Sequence, residues 1–323
     1  MRVAVIGVGN VGARAVRQLL AHGVDDIVVS DAARGRADEV VRQIGESAVR
    51  SSGRPMVGAD VVLLAGATRV HGEQARAALD AGCDVVSVSD AIEDVRALQE
   101  LDAVARAADR RVVIGAGMAP GLSGLLARLA ASSFAQVEEI HVAKAGTGGP
   151  ACARQHHRAL SGDAVDWRDG RFVDRRGRSG RELVFFPEPI GGRDCYRAAL
   201  PDAMLLAPAF DGVERVTARL SATRRDRLTA LLPMLRKPHA DGGPGAVRVE
   251  LRGVLADGGR GTEVLSAVDH PSVAAACVAA LTVVRMHDDI EAGARGLGAV
   301  PDARPWLRTL AERGVKAARF TAG

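Results

Sequence analysis

Apolar residues along this chain fall into short continuous runs, separated by stretches in which they recur every three or four positions. Val3-Ala4-Val5-Ile6, Ile27-Val28-Val29, Val61 to Ala67, Asp84 to Asp90 and Arg111 to Gly115 are runs of the kind that a parallel strand buried on both faces requires. Between them, Val11, Ala15, Val16, Leu19 and Leu20 share one helical face, as do Ala37, Val40, Val41 and Ile44. Two further helices are expected, Gln74 to Ala81 closed by Gly82, and about Val95 to Ala108. Strands alternating with helices at this spacing predict a doubly wound parallel sheet, because parallel neighbours need right-handed crossovers. Ligands of such sheets bind beyond the carboxyl ends of the strands, which nominates Gly66, Ala67, Ser89, Asp90 and Gly117.

From Glu138 the pattern changes to alternating strand-like segments rich in turns. These are Glu139 to Lys144, a hairpin cue at Asp169-Gly170, Arg181 to Phe186, Val213 to Leu220, Ala246 to Val254 and Thr262 to Val268. A largely antiparallel sheet is expected there, followed by a buried Ala- and Val-rich helix from about Ser272 to Met286. The predicted fold class is α/β: an N-terminal Rossmann-type sheet and a second α+β domain on a largely antiparallel sheet.

The first apolar run leads straight into Gly7-Val8-Gly9-Asn10-Val11-Gly12 and then a helix. Gly7 allows a sharp turn, Gly9 allows a pyrophosphate close to the backbone, and Gly12 allows tight helix–strand packing. The unpaired amides at the helix start favour an anion. Asp31 lies 19 positions beyond Gly12 after a second strand, the separation that brings a carboxylate to the adenosine ribose. Asp31 favours NAD by repelling a 2′-phosphate, while Arg34 and Arg36 keep NADP possible. Cofactor contacts are therefore assigned to Gly7, Gly9, Asn10, Val11, Gly12 and Asp31, with the five strand-end residues above.

Composition narrows the partners. The 323 residues are 47% apolar and 25% charged with net charge +4, and the basic residues are scattered, so no nucleic-acid partner is expected. Lysine occurs only at 144, 237 and 316 among 43 basic residues, and an ammonium, unlike a guanidinium, can be tuned toward neutrality. The four cysteines form no CxxC pair and no zinc-like spacing, so they read as reduced thiols and no metal site is expected. With a core strand at the very start and no long charge-free apolar stretch, neither a signal peptide nor a membrane partner is expected, and a cytoplasmic location follows.

The stretch Gly115-Ala116-Gly117-Met118-Ala119-Pro120-Gly121-Leu122-Ser123-Gly124 combines a strand end, a Gly-x-x-Pro-Gly turn and a small-residue helix. It resembles the corresponding segment of the saccharopine dehydrogenase-like family, the saccharopine and carboxynorspermidine reductase type. Phe185-Phe186-Pro187-Glu188-Pro189-Ile190-Gly191-Gly192, Leu200-Pro201-Asp202 and the ending Leu310 to Val315 are similar to that family's later segments. One departure is Ala119, where members acting on amino acids often carry an acid before the Pro-Gly. The resemblance implies an NAD(P)-dependent enzyme acting on a C–N bond, with a small-molecule amine and a carbonyl compound as substrates. It also implies a homodimer, a dinucleotide-binding domain of 1–125 plus about 271–323, and a substrate and dimerisation domain of 126–270.

The densest polar constellation runs from Lys144 through the glycine loop to Cys152, Arg154, His156, His157 and Arg158. A strand ends near Lys144 and a helix begins after Pro150, which suits a first helical turn. Loop amides and Arg154 can hold a carboxylate, with Met118 and Arg193 as further substrate contacts. Reduction of an imine needs a proton donor, for which Lys144, His156 and His157 are the catalytic candidates. The plainer alternative is a turn followed by a charged surface helix. Rival functions are a dehydrogenase of a single amino or hydroxy acid, and a cofactor-binding protein without catalysis.

Overall fold

The runs of Val, Leu and Ile in the N-terminal half have no polar face to offer water, so they pair with one another. In the computed structural model, which describes residues 1–234 and 237–320, they form β1 (Arg2–Ile6), β2 (Asp26–Ser30), β3 (Val49–Ser51), β4 (Val61–Leu64), β5 (Asp84–Ser87) and β6 (Arg111–Ile114). All neighbouring pairs among these six are parallel. The second sheet comprises β7 (Phe134–Ala145), β8 (Ala164–Arg168), β9 (Arg171–Arg175), β10 (Glu182–Phe185), β11 (Gly192–Arg197), β12 (Arg215–Ser221), β13 (Gly245–Leu255) and β14 (Arg260–Asp269). β15 (Gly293–Gly296) returns to the first sheet and β16 (Ala317–Phe320) to the second.

The first sheet has the order β15-β6-β5-β4-β1-β2-β3, doubly wound as the alternating pattern predicts. The expected helix from Val95 to Ala108 is two helices, Ile92–Gln99 and Asp102–Ala107. Asp102 is the first residue of the second helix. Its carboxylate accepts the Ala294 amide at 2.8 Å and pairs with Arg106, which favours a fresh helix start at that residue.

The second sheet runs β10-β11-β12-β7-β13-β14-β16, with β8 attached to β12 and β9 to β8. Among the described residues of this sheet β7 and β12 pair in parallel and the other neighbours are antiparallel. Its two faces differ. Ile140, Val142, Val216, Ala218, Leu220, Val247, Val249, Leu251, Leu265 and Ala267 form an apolar face, and the helix Leu122–Ala131, apolar nearly all round, packs on it. The other face carries an ion-pair ladder in which Glu139 meets His141 and Arg215, and Glu250 meets Arg248 and Arg252. Burial opposes charge on Glu139 and Glu250, but these partners hold both carboxyls below their ordinary value.

The chain divides into two compact units, Met1–Gly117 with Ala275–Arg295, and Met118–Ala274 with the residues from Gly296 onward. This differs from the expected boundaries of 1–125 with 271–323 and of 126–270. The helix at 122–131 joins the second unit because its apolar surface belongs to the second sheet. The C-terminal segment joins it because β16 pairs with β14.

Gly124 lies where that helix meets the 297–299 turn, and a Cβ there would stand 2.6 Å from the Gly298 nitrogen. Gly124→Ala is expected to destabilise the protein by about 1–3 kcal/mol, read as a lowered melting temperature.

Candidate functional site

The glycine turn is built by backbone contact. Gly7 has φ +91°, and a Cβ on it would stand 2.3 Å from the Gly66 Cα. A Cβ on Gly12 would lie 1.9 Å from the Gly7 carbonyl oxygen, so the helix Asn10–Ala21 rests directly on the turn. Gly9 is the opposite case, with no atom within 4 Å of the space a Cβ would take. Gly9 also caps the helix without a side-chain hydrogen bond, and the first turn, which holds Asn10, Val11 and Gly12, has no acidic residue. The free volume at Gly9, beside a helix start with no acidic residue, fits the pyrophosphate of a dinucleotide.

Asp31 follows β2 and reaches back to this turn. One oxygen accepts the Val8 amide and the other the Ala33 amide, both at 2.8 Å. The carboxylate therefore braces the glycine loop, and its remaining lone pairs are the ones available to a ribose. Arg34 and Arg36 are exposed.

Beyond β4 and β5 the backbone is tied by one buried carboxylate. Asp94 accepts the Arg69 amide at 2.8 Å, the His71 amide at 3.1 Å and the Ser89 hydroxyl at 2.6 Å. His71, fully buried, bonds the Ser87 hydroxyl through Nδ1 at 2.8 Å. Burial pushes its imidazole below the ordinary value, opposed by Asp94 and by the backbone of Gly66 and Ala67. Gly66 thus forms the floor under Gly7, and Ser89 is spent on Asp94. Asp90 is half-buried at the same strand end, and Gly117 closes the unit's first segment. The His71–Asp94 pairing escaped sequence reading; the signal was a histidine following a strand-end Gly-Ala-Thr.

In the second unit Lys144 ends β7 on the apolar sheet face, flanked in register by Leu220 and Val247. It is 6% exposed, and Nζ donates to the Ala119 carbonyl at 3.0 Å. Met118 is buried beside Ala119 in the same turn. A loop with left-handed glycines at 146 and 149 leads into the helix Pro150–Ser161. There His156 is 8% exposed, with Nε2 3.6 Å from Cys152 Sγ. His157 points elsewhere, its Nε2 2.8 Å from the Leu232 carbonyl, and Arg154 is exposed.

Arg193 pairs with Val184 on the edge hairpin of β10 and β11. It lies on the face opposite Lys144, because the Lys144 row continues through Leu220 to Tyr196. The sheet therefore separates Arg193 from Lys144 and brings Tyr196 into the lysine's row, which the sequence did not indicate. Strand parity becomes informative only once the register is known. Ser123 and Asp202, both buried, form a second unforeseen pair at 2.7 Å. Among the described residues no group of three or more His, Cys, Asp or Glu side chains is arranged to hold a metal ion.

Residues 1–116 match the model of an oxidoreductase family with an NAD-binding Rossmann fold. With the glycine turn, this match marks residues 1–116 as an NAD-binding Rossmann domain of the oxidoreductase kind. Over the whole chain the fold is similar to saccharopine dehydrogenase (L-Glu forming) from Saccharomyces cerevisiae, with TM-score 0.73, 15% identity, and 99% of this chain and 100% of that chain covered. A probable dehydrogenase from Thermotoga maritima has TM-score 0.51 at 11% identity, covering 99% and 98% of the two chains. No curated protein matches the chain in sequence.

The two glycines separate binding from stability. Gly9→Ala is expected to raise the Kd for NADH at least about tenfold with an unchanged melting temperature, since only the ligand needs that space. Gly12→Ala is expected to lower the melting temperature. Calorimetry and thermal denaturation read the two effects.

Burial holds the His71 imidazole below its ordinary value of 6.5, so it protonates less readily in the folded chain than in the unfolded one. Stability is therefore lost as pH falls below about 6.5, by at most about 1.4 kcal/mol per pH unit from this group. Melting curves from pH 7 to 5 should fall less steeply in His71→Asn.

Proposed function

We propose that this protein is an NAD(P)-dependent oxidoreductase acting on a C–N bond, reducing an imine formed from an amine and a carbonyl compound or oxidising the secondary amine. The observation that carries this reading is Lys144, an ammonium held among apolar side chains at a strand end. Lys237 and Lys316 are both exposed. The saccharopine dehydrogenase fold supports the choice of C–N chemistry.

When bound, the nicotinamide cofactor supplies or accepts the hydride. The residues suited to hold it are Gly7, Gly9, Asn10, Val11, Gly12 and Asp31, with NAD favoured because two amides fix the Asp31 carboxylate at the strand end, where its charge repels a 2′-phosphate. Substrate belongs to the second unit. Lys144 is the first candidate for the proton that keeps an imine nitrogen protonated, because a buried lysine is the kind that exchanges protons. Ala119 fixes its position through the carbonyl contact. His156, held nearly buried on its helix, is the second candidate, whereas His157 serves to tie that helix to Leu232. The loop from 146 to 149 and Arg154 are suited to a substrate carboxylate. Four unbridged cysteines support a reducing, cytoplasmic setting, and no helix among the described residues is long and apolar enough to cross a membrane.

NADH consumption is expected only when an amine and a keto acid or aldehyde are both present. Lys144→Met should lower kcat by about 10²- to 10⁴-fold while leaving the Kd for NADH unchanged. Cofactor binding with no turnover across a broad panel of amines and carbonyls would overturn the reading.

A further inference from the structure

Cys152 differs from the other three cysteines. Cys83, Cys195 and Cys277 are buried, and burial pushes the Cys83 thiol up and that of Cys195 up to about 12. Such thiols are inert. Cys152 is half-buried and sits in the first turn of the helix Pro150–Ser161, which contains no acidic residue. The amides of a first turn favour a negative charge. One turn on, Nε2 of His156 stands 3.6 Å from the sulfur. His156 is itself more than nine-tenths buried, so the imidazole is held against the thiol and does not swing in solvent.

We infer that Cys152 and His156 form an activated thiol–imidazole pair, a site for covalent modification by soft electrophiles and for two-electron oxidation by peroxides. The thiol proton passes to Nε2 and the thiolate attacks one peroxide oxygen. An S–O bond forms as the O–O bond breaks, and sulfur gives up the two electrons that the peroxide gains. The departing hydroxide takes the proton from the imidazolium and leaves as water. The product is a sulfenic acid. A low-molecular-weight thiol reverses the change: the first equivalent displaces water to give a mixed disulfide, and the second releases the Cys152 thiol as the small disulfide leaves. An adduct on Cys152 stands against His156, and its effect on turnover, unlike the thiol reactivity itself, rests on the function proposed above.

The test uses the full-length protein at pH 7 and needs no catalytic assay. In one arm it is treated with iodoacetamide alongside glutathione as a rate standard. In the other it receives hydrogen peroxide and then dimedone, and peptide mass spectrometry locates both labels. Cys152 is expected to be labelled in both arms and to alkylate faster than glutathione, while Cys83, Cys195 and Cys277 react only after denaturation. His156→Gln should slow Cys152 alkylation at least about threefold at an unchanged melting temperature, and Cys152→Ser should remove the dimedone label. Alkylation slower than glutathione, or equal rates in wild type and the folded His156→Gln variant, would overturn the proposal. The glutathione comparison stands without any variant. NADH turnover is measured separately, so failure of the C–N reading is seen independently of this result.

Discussion

Main chain against main chain is the constraint on which the N-terminal unit depends. At the end of β1 the turn can pass only if Gly7 lies on Gly66 and the helix rests on the Gly7 carbonyl, and neither approach tolerates a Cβ. Once three strands of backbone are this close, the first amides of the helix have a fixed direction and an open space in front of them at Gly9. Asp31 then completes the loop from the neighbouring strand by taking the Val8 amide. The space and the amide direction offered to an anion are thus a product of packing. It needs no cationic side chain in the turn.

The second unit solves a different problem. One face of the sheet carries the apolar row and the other an ion-pair ladder beside a small apolar cluster of Ala143, Ala145, Val184 and Cys195, and arginine supplies the ladder with its guanidiniums. Lys144 places its amine within the apolar row. A group that weakens the core so directly is tolerated where an acceptor is in reach, and the Ala119 carbonyl is that acceptor.

The parts legible in the sequence were those in which local pattern and tertiary outcome coincide. β1, β4, β5 and β6 are runs buried on both faces, and the glycine turn carries its geometry in its spacing. β3 (Val-Arg-Ser) was not legible, since an edge strand buries one residue and resembles a loop. β11, Gly-Arg-Asp-Cys-Tyr-Arg, was hidden because its charged residues are matched by partners that only the fold supplies, Asp194 by Arg181 beside the neighbouring strand and Arg197 by Asp166 on β8. At the candidate site, Lys144 stood out by the rarity of lysine, whereas the approach of Cys152 to His156 was not read from the sequence. The face on which Arg193 lies follows from register, and the Ser89 hydroxyl's bond to a carboxylate five residues away follows from the fold of the β4 loop, neither of which local pattern carries.

The helix Pro271–Asp289 starts among residues of the second unit and ends among those of the first, and the chain passes between units at 117, 274 and 295. Neither unit is a continuous length of polypeptide. Ribosomal synthesis therefore delivers the strand that borders β6, and then the one that borders β14, only after the long segments that separate each from its sheet. During translation each sheet waits with an unpaired edge, and the growing chain has no finished domain to release early. A gene fusion or truncation that treats the N-terminal segment as a portable cofactor module would leave that edge permanently bare.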